Sequence, residues 1–431
     1  MNKMARNMDW SLADELTKKT QDELEKIEKV HILVVGKTGV GKSTLINSIF
    51  REKLAETGIG QPVTKHLRKI EKEGVPMVLY DTRGLELDSD TQMQVTSEIN
   101  DTLAKMSKNQ EQMHVVYYCI NASASRIEDM EIRLIEYLAG KMPVILVLTQ
   151  SIGEQALKFE RYLVNKNLPV QSIIRLMAID YKITDDYAIP AFGLKELVER
   201  TFGLLPHNVH TAFNNAQQVD IDRKGRAARR WARKYIVTTF GVGFTPIPFS
   251  DATVLVPMQI GMMAHITAIF GISMDQSTAL GILGAIGGTG SATYVGRLIV
   301  SNVIKFIPGL GSVAGGVISG TTAAIVTTAL AMSYIEVLTF IATAEAKGKE
   351  VNPRTVRKLM KELYGERLKR GKEDPDFQAA MEEMETKTNN YNKQRQTNEI
   401  QSKSTDNIKD TNSGQQARMN WSKWTLRKRK R

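Results

Sequence analysis

Apolar runs at about 31–35, 76–80, 113–120, 143–149 and 171–178 alternate with stretches in which apolar residues recur at helical spacing. Runs of that length fit strands buried on both faces, and their alternation with helices predicts an α/β fold with a doubly wound, mostly parallel sheet. His66 to Lys72 is more polar and reads as an additional strand of the edge type. Upstream, Trp10, Leu12, Leu16, Leu24 and Ile27 sit among dense Lys and Glu, which predicts a helical arm over residues 1–29 packed on the first domain, 30–204. Phe192-Gly-Leu-Lys-Glu-Leu197 opens that domain's closing helix.

Beyond it the pattern changes. Asp222 to Tyr235 is a basic helix, and long apolar blocks follow at about 251–272, 277–296, 298–320 and 321–344, giving a second, all-α hydrophobic domain over 205–345. A charged helix is expected within 346–370. Residues 371–431, rich in Asn, Gln, Lys, Thr and Glu, read as a disordered basic tail with little to bury.

The first apolar run opens directly into chemistry. His31-Ile-Leu-Val-Val35 leads into Gly36-Lys-Thr-Gly-Val-Gly-Lys-Ser-Thr44, a glycine-rich loop between a buried strand and a helix with the spacing of a phosphate loop. The glycines let successive backbone N–H groups turn inward, and the helix N-terminus adds its dipole, so the loop forms an anion cradle. Lys42 is placed for the β- and γ-phosphates. Ser43 offers a hard oxygen ligand to Mg²⁺. Downstream, the strand Pro76-Met-Val-Leu-Tyr80 ends in Asp81-Thr-Arg-Gly84, and Gly60-Gln-Pro-Val-Thr64 lies between the two motifs. The order of cradle, threonine and Asp-x-x-Gly is more specific than any one of them.

Residues from about Val30 to Leu204 therefore resemble the G domain of Era-like, translation-factor-related P-loop GTPases. The resemblance implies GTP or GDP as ligand with Mg²⁺ held by Ser43, Thr64 and Asp81, and catalytic roles for Lys42, Thr64 and Gly84. It also implies nucleotide contacts from Gly36, Lys37, Thr38, Gly39, Val40, Gly41, Lys42, Ser43, Thr44, Asp81, Gly84, Thr149, Gln150 and Ala178. Departures from the family pattern are equally specific. The base-reading motif is Thr149-Gln-Ser-Ile152, with Gln150 in place of lysine and Ile152 in place of the guanine-binding aspartate; Glu154 is the nearest acidic substitute. Leu85 follows Gly84 where many relatives carry a water-orienting glutamine, so slow intrinsic hydrolysis is expected. The position of a potassium-recruiting asparagine is Gly39, which closes that route, and Arg126 is a candidate charge stabiliser in the loop after the fourth strand.

Pro246-Ile-Pro-Phe-Ser-Asp251, Pro257-Met-Gln-Ile-Gly261 and Lys305-Phe-Ile-Pro-Gly-Leu-Gly311 resemble a YcjF-type helical domain. The apolar blocks are long enough to span a bilayer, and Gly284 with Gly288, Gly311 with Gly315 and Gly316 with Gly320 allow close helix approach in lipid. Against insertion stand Asp251, His265, Lys305 and Glu336, the charged types costing about 2.5–3.5 kcal/mol each at a bilayer centre. With a net charge of +11 over 431 residues and a closing Trp421-Ser-Lys-Trp-Thr-Leu-Arg-Lys-Arg-Lys-Arg431, the expected partners are membrane lipids or a membrane protein, with nucleic acid through the tail and self-association as alternatives. The expected location is the cytoplasmic side of a membrane, the inner membrane in a bacterium, or else the cytoplasm. The single cysteine, Cys119, lies in an apolar strand, which excludes an intrachain disulfide and reads as an inert buried thiol. Competing readings are a soluble GTP-dependent assembly or RNA-binding factor and a nucleotide-binding pseudo-GTPase.

Overall fold

A computed structural model describes residues 3–51, 54, 59–82, 89–241, 252–287 and 320–390. Nine strands form two sheets among these residues: β1 (Val30–Val35), β2 (Ile59–Pro62), β3 (Leu67–Glu71), β4 (Met77–Thr82), β5 (Val115–Asn121), β6 (Val144–Thr149), β7 (Ser172–Arg175), β8 (Tyr181–Lys182) and β9 (Ala188–Ile189). The main sheet runs in the order β2-β3-β4-β1-β5-β6-β7, and β8 pairs with β9 in a small hairpin. From β4 to β7 every neighbour is parallel, whereas β3 runs antiparallel to β4 and β2 antiparallel to β3. The polar strand expected over 66–72 is β3, but the edge beside it belongs to β2, a strand the apolar pattern did not predict. Pro62 removes an N–H from β2, which suits a strand with one unpaired side.

Side-chain alternation divides the sheet's two faces. Val30, Ile32 and Val34 of β1 enter one core with α2 (Lys42–Ile49), and α6 (Leu194–Leu204) and α7 (His210–Ala216) close it. Leu33 and Val35 enter the other, covered by α3 (Ser89–Lys108), α4 (Asp129–Ala139) and α5 (Gly153–Asn165). Chain order crosses from β4 to β5 on either side of β1, so the sheet's switch point falls at the carboxyl end of β1, where the glycine loop begins.

A separate helical core gathers α8 (Ile221–Gly241), α9 (Ala252–Phe270), α10 (Gln276–Gly287), α11 (Gly320–Ala346), α12 (Pro353–Arg370) and α13 (residues 375–390). Two expectations change here. The N-terminal helix α1 (Lys3–Glu25) packs on this second core rather than on the sheet domain: Ala13 and Leu16 are buried in it, Glu23 meets His265 Nδ1 at 2.7 Å, and Lys19 Nζ donates to Pro257 O at 3.1 Å. Gln276 also donates to Asp14. The tail expected to be disordered from 371 instead continues as α13, which buries Phe377, Ala380 and Met384. These three apolar residues at helical spacing are its one buried stripe. Residues 391–431, and most of the apolar block 298–320, lie outside the described residues.

Among the described residues α11 is the one helix long and apolar enough to cross a membrane, and most of it is covered by α8, α9 and α12. Its polar groups have protein partners. Glu336 pairs with Arg367 at 2.6 Å and Arg229 at 3.6 Å, Thr327 accepts from Gln259 Nε2, and Tyr334 shares a hydrogen bond with Thr267 at 2.6 Å. The basic helix α8 likewise turns Arg229 and Arg233 toward Asp376, so part of its positive charge is neutralised within the molecule.

The two cores meet at a buried polar joint. Arg51, just past α2, donates Nε to Asn215 O at 3.1 Å and Nη2 to Asn215 Oδ1 at 2.8 Å and to Gly74 O at 2.6 Å. Asn215 Nδ2 donates to Ala268 O at 2.5 Å, and Lys224 Nζ reaches Phe270 O at 2.5 Å and Asn215 O at 3.2 Å. These donors satisfy carbonyls at the C-terminus of α9, which a helix end leaves open. Burial first, then the nearby Arg51 charge, pushes the Lys224 amine well below its ordinary range. Gly271, at φ 68°, lies so close to Asn215 O that a Cβ would approach it to 2.2 Å.

Candidate functional site

The loop between β1 and α2 is built by backbone conformations that side chains disfavour. Gly36, Gly39 and Gly41 take φ of 150°, 80° and 96°. At Gly36 a Cβ would come within 2.5 Å of Cys119 O, so the loop can leave β1 hard against β5 only with glycine there. Gly41 begins α2 with no side chain capping the helix, and Ser43 and Thr44 are exposed on its first turn. The arrangement leaves N–H groups at a helix N-terminus turned toward an anion site.

Lys42 is buried, and its ammonium donates to Gly36 O at 2.7 Å and Lys37 O at 3.0 Å. The charge is thereby carried at the mouth of the loop by two backbone acceptors. Lys37 points the other way, to Glu128 at 2.7 Å and Glu131 at 3.4 Å. That ion pair, ahead of a small burial effect, holds the Glu128 carboxyl below its usual range. From the far side Thr149, at the end of β6, donates its hydroxyl to Val40 O at 2.5 Å and Ile120 O at 3.1 Å. Thus β5, β6 and α4 fix three points of the cradle.

Asp81 lies on β4 directly beside Val34 of β1, at the same edge of the sheet as the loop. A hydroxyl at Ser43 and a carboxylate at Asp81 fit Mg²⁺, which takes few protein oxygens and fills its remaining positions with phosphate and water. Among the described residues no cluster of three or more His, Cys, Asp or Glu forms a metal cage. Gly84 and Leu85 lie outside the described residues. Thr64 stands in the β2–β3 turn, with its hydroxyl bonded to Glu98 of α3 at 2.5 Å and accepting from Leu67 N at 3.0 Å.

Just past β6, Gln150 adopts φ 50°, and its side chain, like that of Thr149, lies beside Gly41. Asn121 Nδ2 donates to Gln150 Oε1 at 3.2 Å, and Ser123 Oγ to Gln150 O at 3.0 Å. Ile152 precedes α5, and Glu154 is exposed on its first turn, paired with Lys158 at 3.0 Å. Ala178 is half-buried after β7. Arg126 is exposed in the loop after β5. Burial pushes the Cys119 thiol up to about 12, as an inert core thiol requires. A hollow of about 400 Å³ lies elsewhere, between Phe340 and Thr343 of α11, Val351 of the connection that follows and Thr355 of α12, and none of the loop residues line it.

Several participants escaped sequence reasoning. Glu131 is the fourth residue of a Glu128-x-x-Glu131 helix start, a signal that could have found it, and its carboxylate does accept from Glu128 N at 3.0 Å. Glu98 and Asn121 carried no sequence signal, because each is one polar residue in an element whose type is set by its apolar positions.

Residues 31–150 match the family described as 50S ribosome-binding GTPase. Translocase of chloroplast 108 from Physcomitrium patens is 29% identical over 42% of this chain and 19% of its own length. GTPase Era from Pseudomonas fluorescens (strain Pf0-1) is 30% identical over 29% of this chain and 41% of its own. The chain thus spans about a fifth and about two fifths of these relatives. Among solved structures, a probable GTP-binding protein engB covers 41% of this chain and 98% of its own at 20% identity and a TM-score of 0.30. Era in complex with MgGDPNP and 16S ribosomal RNA covers 42% of this chain and 58% of its own, at 22% and 0.29. Residues 31–150 thus match a P-loop GTPase family model, and the first domain has the mixed, mostly parallel sheet flanked by helices that is typical of that fold.

Proposed function

We propose that the chain is a GTP-operated switch with slow intrinsic hydrolysis, whose sheet domain controls the attached helical body at the cytosolic face of a membrane. The observation that carries the reading is the cradle: Lys42 held at the mouth of a loop whose glycines have no room or no φ for a side chain, and which Thr149 pins from β6. Lys42 would exchange its two carbonyl acceptors for β- and γ-phosphate oxygens. Loop N–H groups from Gly36 to Thr44 bind and orient the phosphates, which supplies most of what a phosphoryl transfer needs from protein. Ser43, Asp81 and, in the triphosphate form, Thr64 would hold Mg²⁺; the ion spreads the charge developing on the phosphate oxygens. By the family resemblance Gly84 would offer an N–H to the γ-phosphate, and leucine at position 85, where many relatives carry a water-orienting glutamine, implies turnover of order 10⁻⁴ to 10⁻² s⁻¹. Guanine selectivity rests on Glu154, on Gln150 and on backbone near Ala178, since the Ile152 side chain offers no hydrogen-bond acceptor and the Thr149 hydroxyl is engaged by Val40 O and Ile120 O.

The membrane role is supported by the net charge of +11, by the Trp421–Arg431 segment and by the sparse charge from Ala252 to Ala344, a region whose YcjF-type resemblance names no activity. One relative is a chloroplast translocase by name. A second reading, a soluble GTP-dependent assembly factor, is favoured by the protein cover over α11 and by the pairing of Glu336 with Arg367. Identification of the nucleotide co-purifying with the full-length chain, together with alkaline extraction of membranes, tests both. GTP or GDP on a chain retained in the alkali-resistant pellet is the expected result. A monodisperse chain without detergent, absent from the pellet, refutes the membrane role, and failure to bind either nucleotide refutes the switch.

A further inference from the structure

Thr64, the residue expected to ligate the metal, spends its hydroxyl proton on Glu98 Oε2 at 2.5 Å. The same carboxylate oxygen accepts from His66 N at 3.0 Å, and Oε1 lies 3.1 Å from His66 Nδ1. One side chain of α3 therefore closes the whole β2–β3 turn.

Strand register locates this turn relative to the phosphate loop. Leu67 of β3 stands opposite Thr82 of β4, and Asp81 of β4 stands beside Val34 of β1, so turn and loop share the carboxyl edge of the sheet. Two strand intervals, about 10 Å, separate β3 from β1. An ion at Ser43 and Asp81 lies at the ends of β1 and β4, one to two strand intervals from β3, so a Thr64 hydroxyl that reaches it either leaves Glu98 or draws it along. Glu98 cannot follow it closely, because a carboxylate drawn toward the γ-phosphate meets like charge in a partly desolvated site. The three contacts also involve residues only two apart in one turn, so they are lost together.

We infer that Glu98 is a positioning residue that parks Thr64 away from the metal and releases it when triphosphate binds, tying movement of the β2–β3 turn to movement of α3. The inference rests on the GTP-switch reading and names the device that sets its bias. A group that binds only one of two conformations shifts their ratio by the strength of its differential contacts. Removing Glu98 should therefore favour triphosphate over diphosphate.

The test uses the full-length chain with fluorescent GDP and a fluorescent, non-hydrolysable GTP analogue in Mg²⁺ buffer, comparing wild type, Glu98→Gln, Glu98→Ala, Thr64→Ala and the double variant Thr64→Ala with Glu98→Ala. The ratio of triphosphate to diphosphate affinity should rise about 3-fold in Glu98→Gln, which keeps an acceptor, and about 10-fold in Glu98→Ala. GDP affinity should stay within about 2-fold, and Thr64→Ala should make the ratio insensitive to a further change at Glu98. Thermal melts of both Glu98 variants check folding, and the near-isosteric glutamine keeps the test valid if alanine lowers stability. An unchanged or lowered ratio in the glutamine variant, or equal loss of both affinities, overturns the inference while leaving the switch intact. A wild-type chain that binds neither nucleotide overturns the switch reading and this inference with it.

Discussion

Replacing Thr149 by valine removes one hydroxyl proton and keeps the shape of the side chain, which isolates how far the cradle depends on being pinned from β6. The hydroxyl lies 2.5 Å from Val40 O and 3.1 Å from Ile120 O, in a side chain that is 2% exposed. A methyl group cannot take its place, because carbon-to-oxygen contacts close at about 3.3 Å, so the Val40 carbonyl must move by about 0.8 Å or the valine must rotate. Either way a buried acceptor loses its donor, at about 1–3 kcal/mol. The Val40 carbonyl shares its peptide unit with the Gly41 N–H of the proposed phosphate cradle, so its displacement would be felt by bound nucleotide. We expect Thr149→Val to weaken GTP and GDP binding by about 10- to 100-fold, the equivalent of about 1.4–2.8 kcal/mol. Thr149→Ser, which keeps the donor, should remain within about 3-fold of wild type. Titration with fluorescent nucleotide gives the affinities, and urea unfolding gives the accompanying loss of about 1–2 kcal/mol in stability. If the valine variant binds both nucleotides as tightly as wild type, the loop is not held by this contact and the reasoning fails.

Lys42→Ala should cut triphosphate affinity at least about 100-fold in the same titration, because a charge-assisted contact is lost from a partly buried site. Asn215→Ala strips the joint between the two cores of its bonds to Ala268 O and from Arg51; a loss of about 2–4 kcal/mol in urea unfolding is expected, and a change under about 0.5 kcal/mol would mean the joint is already open in solution. Burial, then His114 and the charges of Lys69 and Lys29, pushes the His31 imidazole down to about 4, so the folded chain holds it neutral where the unfolded chain protonates it. Its contribution is present above pH about 6.5 and is lost as pH falls toward 4, up to about 3 kcal/mol, and His31→Asn should flatten that part of the stability profile measured by urea unfolding between pH 7.5 and 4.5.

The strand, glycine loop and helix from His31 to Asn47 were legible from sequence because their determinants are local. Left-handed φ selects glycine, a two-sided strand needs an unbroken apolar run, and a helix needs its apolar residues three and four apart. The same locality made β1, β4, β5 and β6 readable, along with the basic helix α8. What the local pattern could not contain was partnership. Nothing near Leu16 says that α1 packs on α9 and α10 instead of the sheet, and nothing near Arg229 or Glu336 says that their charges meet Asp376 and Arg367. Phe377, Ala380 and Met384 looked too few to order a polar segment, yet they suffice when an existing apolar surface receives them. For Thr64 the residue type marked it as a metal ligand, while its present partner, Glu98, comes from a helix whose placement only the sheet order fixes. Local conformational preference is written residue by residue; burial and ion pairing depend on which distant surfaces meet, and those meetings are decided by the packed chain as a whole.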